Sequence, residues 1–105
     1  MVKVIIDGDA CPVVNSVIEL TKGTGIFVTV LRSFSHFSHQ IQPEHLKTVY
    51  VDDGPDAVDY KIVQLAKKED IVITQDYGLA SLLIDKVHIV MHHKGSIYRA
   101  DNIQA

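Results

Sequence analysis

The hydrophobic residues gather into five short runs, and the stretches between the runs carry apolar residues at helical spacing or stop at Asp, Gly and Pro. Residues 2–6, Val-Lys-Val-Ile-Ile, are apolar on both faces, as a central parallel strand covered by helices on either side requires. Pro12 suits the first turn of a helix, where its missing N–H costs nothing. Val13, Val14, Val17, Ile18 and Thr21 then form a helical stripe that ends near Gly23 and Gly25. Residues 26–31 are β-branched and aromatic and predict a second strand. Residues 33–39 have no clean period and predict a loop or a short helix. Residues 48–51 predict a third strand, stopped by Asp52-Asp53-Gly54-Pro55. A helix starting near Pro55 or Asp56 carries Ala57, Ile62, Val63, Leu65 and Ala66, with Lys67 and Lys68 in its last turn, where they suit the helix dipole. Residues 71–74 predict a fourth strand closed by Gln75-Asp76, and a short helix then carries Leu79, Leu82, Leu83 and Ile84. Residues 87–91 predict the fifth strand, and residues 92–98 turn or pair at an edge.

Strands alternating with helices predict an α/β fold, a three-layer α/β/α sandwich with a mainly parallel sheet. Right-handed crossovers leave few topologies, and the order 3-2-1-4-5, with strands one and four at the centre, fits best. The 105 residues show neither repeat nor linker and suit a single domain over 1–105.

Composition narrows the setting. At 47% hydrophobic and 22% charged residues the chain is that of an ordinary globular protein, and no segment approaches the ~20 apolar residues of a membrane span. The N-terminus lacks a signal-peptide pattern, and one cysteine cannot form an internal disulfide, so the expectation is cytoplasmic, with no membrane partner. A net charge of −3 gives no overall pull toward nucleic acid, and Lys61, Lys67, Lys68, Lys94 and Arg99 are too scattered to form a phosphate stripe.

The candidate chemistry is acidic. In the predicted order the topological switch point lies between strands one and four, whose C-terminal ends carry Asp7, Asp9 and Asp76. Asp56 and Asp59, three apart, share a face at the start of the second helix, and Asp52 and Asp53 lie just upstream. Carboxylates crowded together raise each other's pKa or recruit a hard divalent cation, Mg²⁺ or Mn²⁺. Each aspartate also has a plain structural reading as a helix cap or turn residue, Asp9 as the cap of the first helix above all. Thr74 could orient a metal-bound water or a phosphate, or serve simply as a strand residue.

Four blocks carry a resemblance: Asp7-Gly8-Asp9-Ala10-Cys11-Pro12-Val13, Gly54-Pro55-Asp56-Ala57-Val58-Asp59, Val72-Ile73-Thr74-Gln75-Asp76 with Leu79-Ala80, and Lys94-Gly95 with Asn102-Ile103. In this order, across nearly the whole chain, they resemble the YaiI/YqxD family of uncharacterised bacterial proteins, usually grouped with PIN-like domains. The resemblance implies a 3-2-1-4-5 sheet and a metal-dependent nuclease crevice acting on a phosphodiester, with single-stranded RNA the expected substrate. Asp7 and Asp76 would be the strand-end metal carboxylates, with Asp9 as a further metal ligand and Asp56 and Asp59 completing the catalytic acids. Two ions would then serve the scissile phosphate, and no side-chain nucleophile would be needed. Members of the family commonly continue beyond the Asn-Ile block, and Ile-Pro is usual where Tyr77-Gly78 stands here.

Two other classes compete. The hydrophobic run followed by Asp7-x-Asp9 also fits a haloacid-dehalogenase-type phosphatase with Asp7 as nucleophile, although Asp52-Asp53 precedes Thr74 and no lysine falls convincingly between. The third reading is a catalytically inactive binding module. Cys11, at a helix start, reads as a small buried residue rather than a nucleophile, since no histidine is placed by sequence to activate it. His36-x-x-His39 and His92-His93 lack the companions of a zinc site, and Phe34 and Phe37 are expected to pack over the sheet rather than stack on a base.

Overall fold

In the computed structural model, which describes residues 2–36, 42–54 and 56–103, one five-stranded sheet has the order β3-β2-β1-β4-β5. The strands are β1 (Lys3–Asp7), β2 (Phe27–Ser33), β3 (Leu46–Val51), β4 (Ile71–Ile73) and β5 (Ile89–Met91). Every pairing between them is parallel, with Ile6 beside Val30 on one side and Ile73 on the other. The expectations for Phe37, His39 and Pro55 fall outside the described residues.

Alternation along the strands builds two cores. Val4, Ile6, Val28, Val30 and Ile73 pack toward α1 (Val14–Thr21), with Val14, Val17 and Ile18 against them. Ile5, Leu31 and Val72 face α2 (Ala57–Leu65) and α3 (Tyr77–Leu83), meeting Val58, Ile62, Leu79, Ala80 and Leu83. The result is the predicted three-layer arrangement. Ile5, Ile6, Leu31, Ile62 and Leu83 have no exposed surface, and each such side chain stabilises the fold by roughly 1.5–3 kcal/mol through burial.

Several boundaries shift for local reasons. Pro12 and Val13 form a turn ahead of α1 rather than its first residues, because Cys11 is held extended before the proline. β2 and β3 run two residues further than expected, β2 at its C-terminal end through Arg32 beside Tyr50 and Ser33 beside Val51, and β3 at its N-terminal end through Leu46 beside Val28 and Lys47 beside Thr29. α2 ends at Leu65, so Lys67 and Lys68 lie beyond it instead of in its last turn. There Asp70 closes the turn, accepting the Lys67 amide at 2.8 Å and the Lys3 ammonium at 2.7 Å. Residues 34–36 form a short 3-10 turn. The tail folds back beside β5, with Ile97 bridging Met91 in antiparallel sense. No helix among the described residues is long and apolar enough to cross a membrane.

Candidate active site

The C-terminal end of β1 sets the site. Asp7 follows Ile5 by two residues, so its side chain rises on the α2/α3 face of the sheet, half-buried. Thr74 follows Val72 in the same way on the neighbouring β4. Its hydroxyl is buried and donates to Asp7 Oδ2 at 3.0 Å while accepting the Asp76 amide at 3.0 Å. Both functions of the hydroxyl are thereby used inside the protein. In this structure the Thr74 hydroxyl fixes the orientation of two aspartates.

Asp76 caps α3. Its Oδ1 accepts the Leu79 amide at 3.1 Å, satisfying one of the free amides of the first turn. Asp59 stands in the first turn of α2, and Asp56 occupies the N-cap position, where it adopts a left-handed conformation, φ 66°, without capping through its side chain. An aspartate tolerates that region better than most residues.

These groups communicate. Burial, followed by the Asp76 and Asp7 charges and a hydrogen bond to Asp76, pushes the Asp59 carboxyl up to about 6. Burial also raises the Asp7 carboxyl, against the lowering effect of the Thr74 hydroxyl, with Asp9 and Asp76 adding to the rise. Asp59 therefore keeps its proton over a range in which free carboxylates are ionised.

Around them lies an acidic crevice of about 320 Å³ lined by Asp7, Asp9, Asp53, Asp56, Asp59 and Asp76, with Ser33 and Gly54. All five sequence-predicted aspartates border it, and Asp53 joins them whereas Asp52 lies on the other side of α2. The crevice does not treat them alike. Asp9 does not cap α1; its two oxygens receive the Ser33 amide at 3.0 and 3.2 Å. That contact, with Arg32 Nη1 donating to the Gly8 carbonyl at 3.1 Å, pins the Gly8–Ala10 turn to the end of β2. Asp53 accepts the Ser35 amide at 3.0 Å and holds the opposite rim. Among the described residues no three His, Cys, Asp or Glu side chains are arranged to hold a metal ion as they stand.

Other candidates resolve differently. Cys11 lines a narrow crevice with His93 and Asp7, a proximity that no sequence spacing announced, yet burial pushes its thiol up, away from the reactive thiolate. The His92 and His93 rings lie 4.2 Å apart, and Phe34 stacks on Tyr50 at 6.0 Å over the sheet edge. Sequence reasoning missed Tyr98. This buried residue donates its hydroxyl to the Thr74 carbonyl at 3.2 Å and sets its ring edge-on to Tyr77 at 5.4 Å, supporting the Thr74–Asp76 corner from below. It sits in the tail beyond the last strand, where no period marks it.

Residues 5–105 match the family model described as "Uncharacterized BCR, YaiI/YqxD family". A UPF0178 protein of Staphylococcus epidermidis is 86% identical over 102 residues, covering 97% of this chain and 68% of its own length. UPF0178 proteins of Staphylococcus haemolyticus and Staphylococcus aureus are 76% and 74% identical, with 70% and 68% of their own lengths covered. The chain thus spans about two thirds of these relatives. No solved structure gives a significant match.

Proposed function

Since the chain belongs to the YaiI/YqxD family of uncharacterised bacterial proteins, whose name carries no activity, we propose from the crevice that it is a divalent-cation-dependent phosphodiesterase, a nuclease acting on single-stranded RNA. The reading includes a PIN-like assignment of the fold and residence in the cytoplasm. One observation carries it: Asp7, Asp59 and Asp76, from three different elements, meet at the switch point of the sheet closely enough for Asp59 to keep its proton up to about 6. A purely structural role would set cations against the three charges, as Lys3 answers Asp70. Here the burden of repulsion is left in place.

The donor set suits Mg²⁺ or Mn²⁺, which prefer carboxylate oxygens. Asp7 commits Oδ2 to Thr74 and Asp76 commits Oδ1 to the Leu79 amide, so each retains its second oxygen for a ligand, with Asp59 as the third donor once its proton leaves. A cation bound there would lower the pKa of a water and offset the charge of the phosphate. The chain's own part is to hold the acids. Thr74 fixes the Asp7 rotamer, the α3 amide fixes Asp76, and Asp9 locks the turn that follows Asp7. Asp56 and Asp59 on α2 border the crevice from the other side, where a deprotonated Asp59 would complete the donor set. The Asp9 contact with Ser33 weighs against the phosphatase alternative, which needs that second acid free as a proton donor.

Incubation of the protein with a fluorescent single-stranded RNA and Mn²⁺ tests the reading. Cleavage that EDTA abolishes and that Asp76→Asn reduces at least about a hundredfold is the expected result. RNA left intact at millimolar Mn²⁺ would count against hydrolysis and favour a binding module.

A further inference from the structure

We propose that the groove between α2 and α3 is a nucleobase subsite, seating one base of a single-stranded nucleotide chain whose phosphate lies in the acidic crevice. The proposal rests on the phosphodiesterase reading and extends it to recognition. The groove is large, about 770 Å³, within the range of small-molecule sites. It shares Asp56, Asp59 and Asp76 with the acidic crevice, so the two form one depression with an acidic head and an apolar trough. Val63, Leu79 and Leu82 line the trough, and Leu82 is 65% exposed on a helix whose Leu79 and Leu83 are buried. Tyr60 on α2 is 78% exposed and makes no ring–ring contact among the described residues. Gly78 keeps the passage from Asp76 into the trough open, since a Cβ there would stand 3.1 Å from Asp76 Oδ1. At the far end Lys86 donates to the Val63 carbonyl and ties the two helices together.

This pairing of surfaces selects its ligand. An apolar peptide or a second copy could cover Tyr60 and Leu82 but would desolvate the Asp56, Asp59 and Asp76 carboxylates on the rim without offering them a cation, which is costly. A nucleotide offers both halves: a phosphate for the acidic head, where Asp7 and Asp76 would hold the cation that offsets its charge, and a flat base for the tyrosine face and the leucine wall. Base–aromatic stacking of this kind tolerates any base, and the Gln64 amide on the groove wall supplies hydrogen bonding to its edge.

The test is an NMR titration of the protein with adenosine 5′-monophosphate and, in parallel, ribose 5-phosphate, each with and without Mg²⁺. Amide shifts at Tyr60, Gln64 and Leu82 with the nucleotide but not with the sugar phosphate are expected. Tyr60→Ala should weaken the apparent affinity about fivefold or more, and Tyr60→Phe should retain it. Equal shifts with both ligands, no shifts in the groove, or shifts that follow protein concentration rather than nucleotide would overturn the subsite; the last would assign the groove to a second copy. If the base-dependent shifts persist while Mg²⁺ has no effect and Mn²⁺ supports no RNA cleavage, the subsite stands and the hydrolytic reading alone falls.

Discussion

Asp59 is the residue whose chemistry is most unlike that of a free side chain. The folded protein holds its proton up to about 6, whereas an unfolded chain releases it near ~4. The folded state therefore binds more protons across that window, and stability falls as pH rises through it, with the full cost present above 6. Asp59→Asn removes the effect. At pH 7.5 the metal-free variant should be more stable than the wild type by about 1 kcal/mol, since solvent at this half-buried position screens much of the repulsion. At pH 4 the two should unfold at nearly the same urea concentration, and a difference between wild type and Asp59→Asn that does not change from pH 4 to 7 would refute the assignment. Thr74 makes a complementary case. Thr74→Val keeps the shape but leaves the Asp76 amide without its acceptor, at a cost of about 1–3 kcal/mol, and removes the bond that lowers the Asp7 pKa. A carbon-detected NMR titration should then show Asp7 protonating at higher pH than in the wild type. Asp7 and Asp76 were legible in the sequence because each ends an apolar strand. The service Thr74 renders to both was not, because a threonine at a strand end is ordinary until its hydroxyl partners are known.

Among the elements, the turn after β1 depends on one residue. A Cβ on Gly8 would lie 2.5 Å from Val30 Cγ1 and 2.8 Å from the Leu31 carbonyl oxygen, and the backbone on that side cannot yield. Gly8→Ala should cost about 1–3 kcal/mol in urea denaturation and should loosen the Asp9–Ser33 contact, read as faster exchange of the Ser33 amide. Unchanged stability would show that the turn is not pinned to β2 as described. The five strands, their order and the three helices were legible because buried parallel strands and amphipathic helices leave continuous and periodic apolar patterns. Their ends were not. β2 extends through the polar pair Arg32 with Tyr50, where the ladder continues after the hydrophobic signal has stopped, and β3 begins early because Leu46 and Lys47 pair with Val28 and Thr29. α2 closes early because Ala66 turns to an extended conformation, which puts Lys67 and Lys68 outside it.

At the scale of the molecule the two ends of the sheet carry opposite electrostatic designs. At the N-terminal end Asp70 is buried and answered by the Lys3 ammonium and the Lys67 amide. At the C-terminal end the aspartates of the crevice gather with no lysine or arginine among its lining residues. In the proposed function that asymmetry separates a structural acid from a functional one, and it depends on which residues the topology brings together across some seventy positions of sequence, from Asp7 to Asp76. Charge counts could not reveal it, since the chain as a whole is only mildly acidic. The proposed chemistry requires that this end of the sheet take up a divalent cation. The most direct measurement is a crystal structure of the protein grown with Mn²⁺ at pH 7.5, with anomalous density recorded for the ion. The expected result is an anomalous peak ligated jointly by Asp7 and Asp76, with Asp59 drawn in and deprotonated. A crevice without a peak at millimolar Mn²⁺, or a peak held elsewhere on the protein, would contradict it.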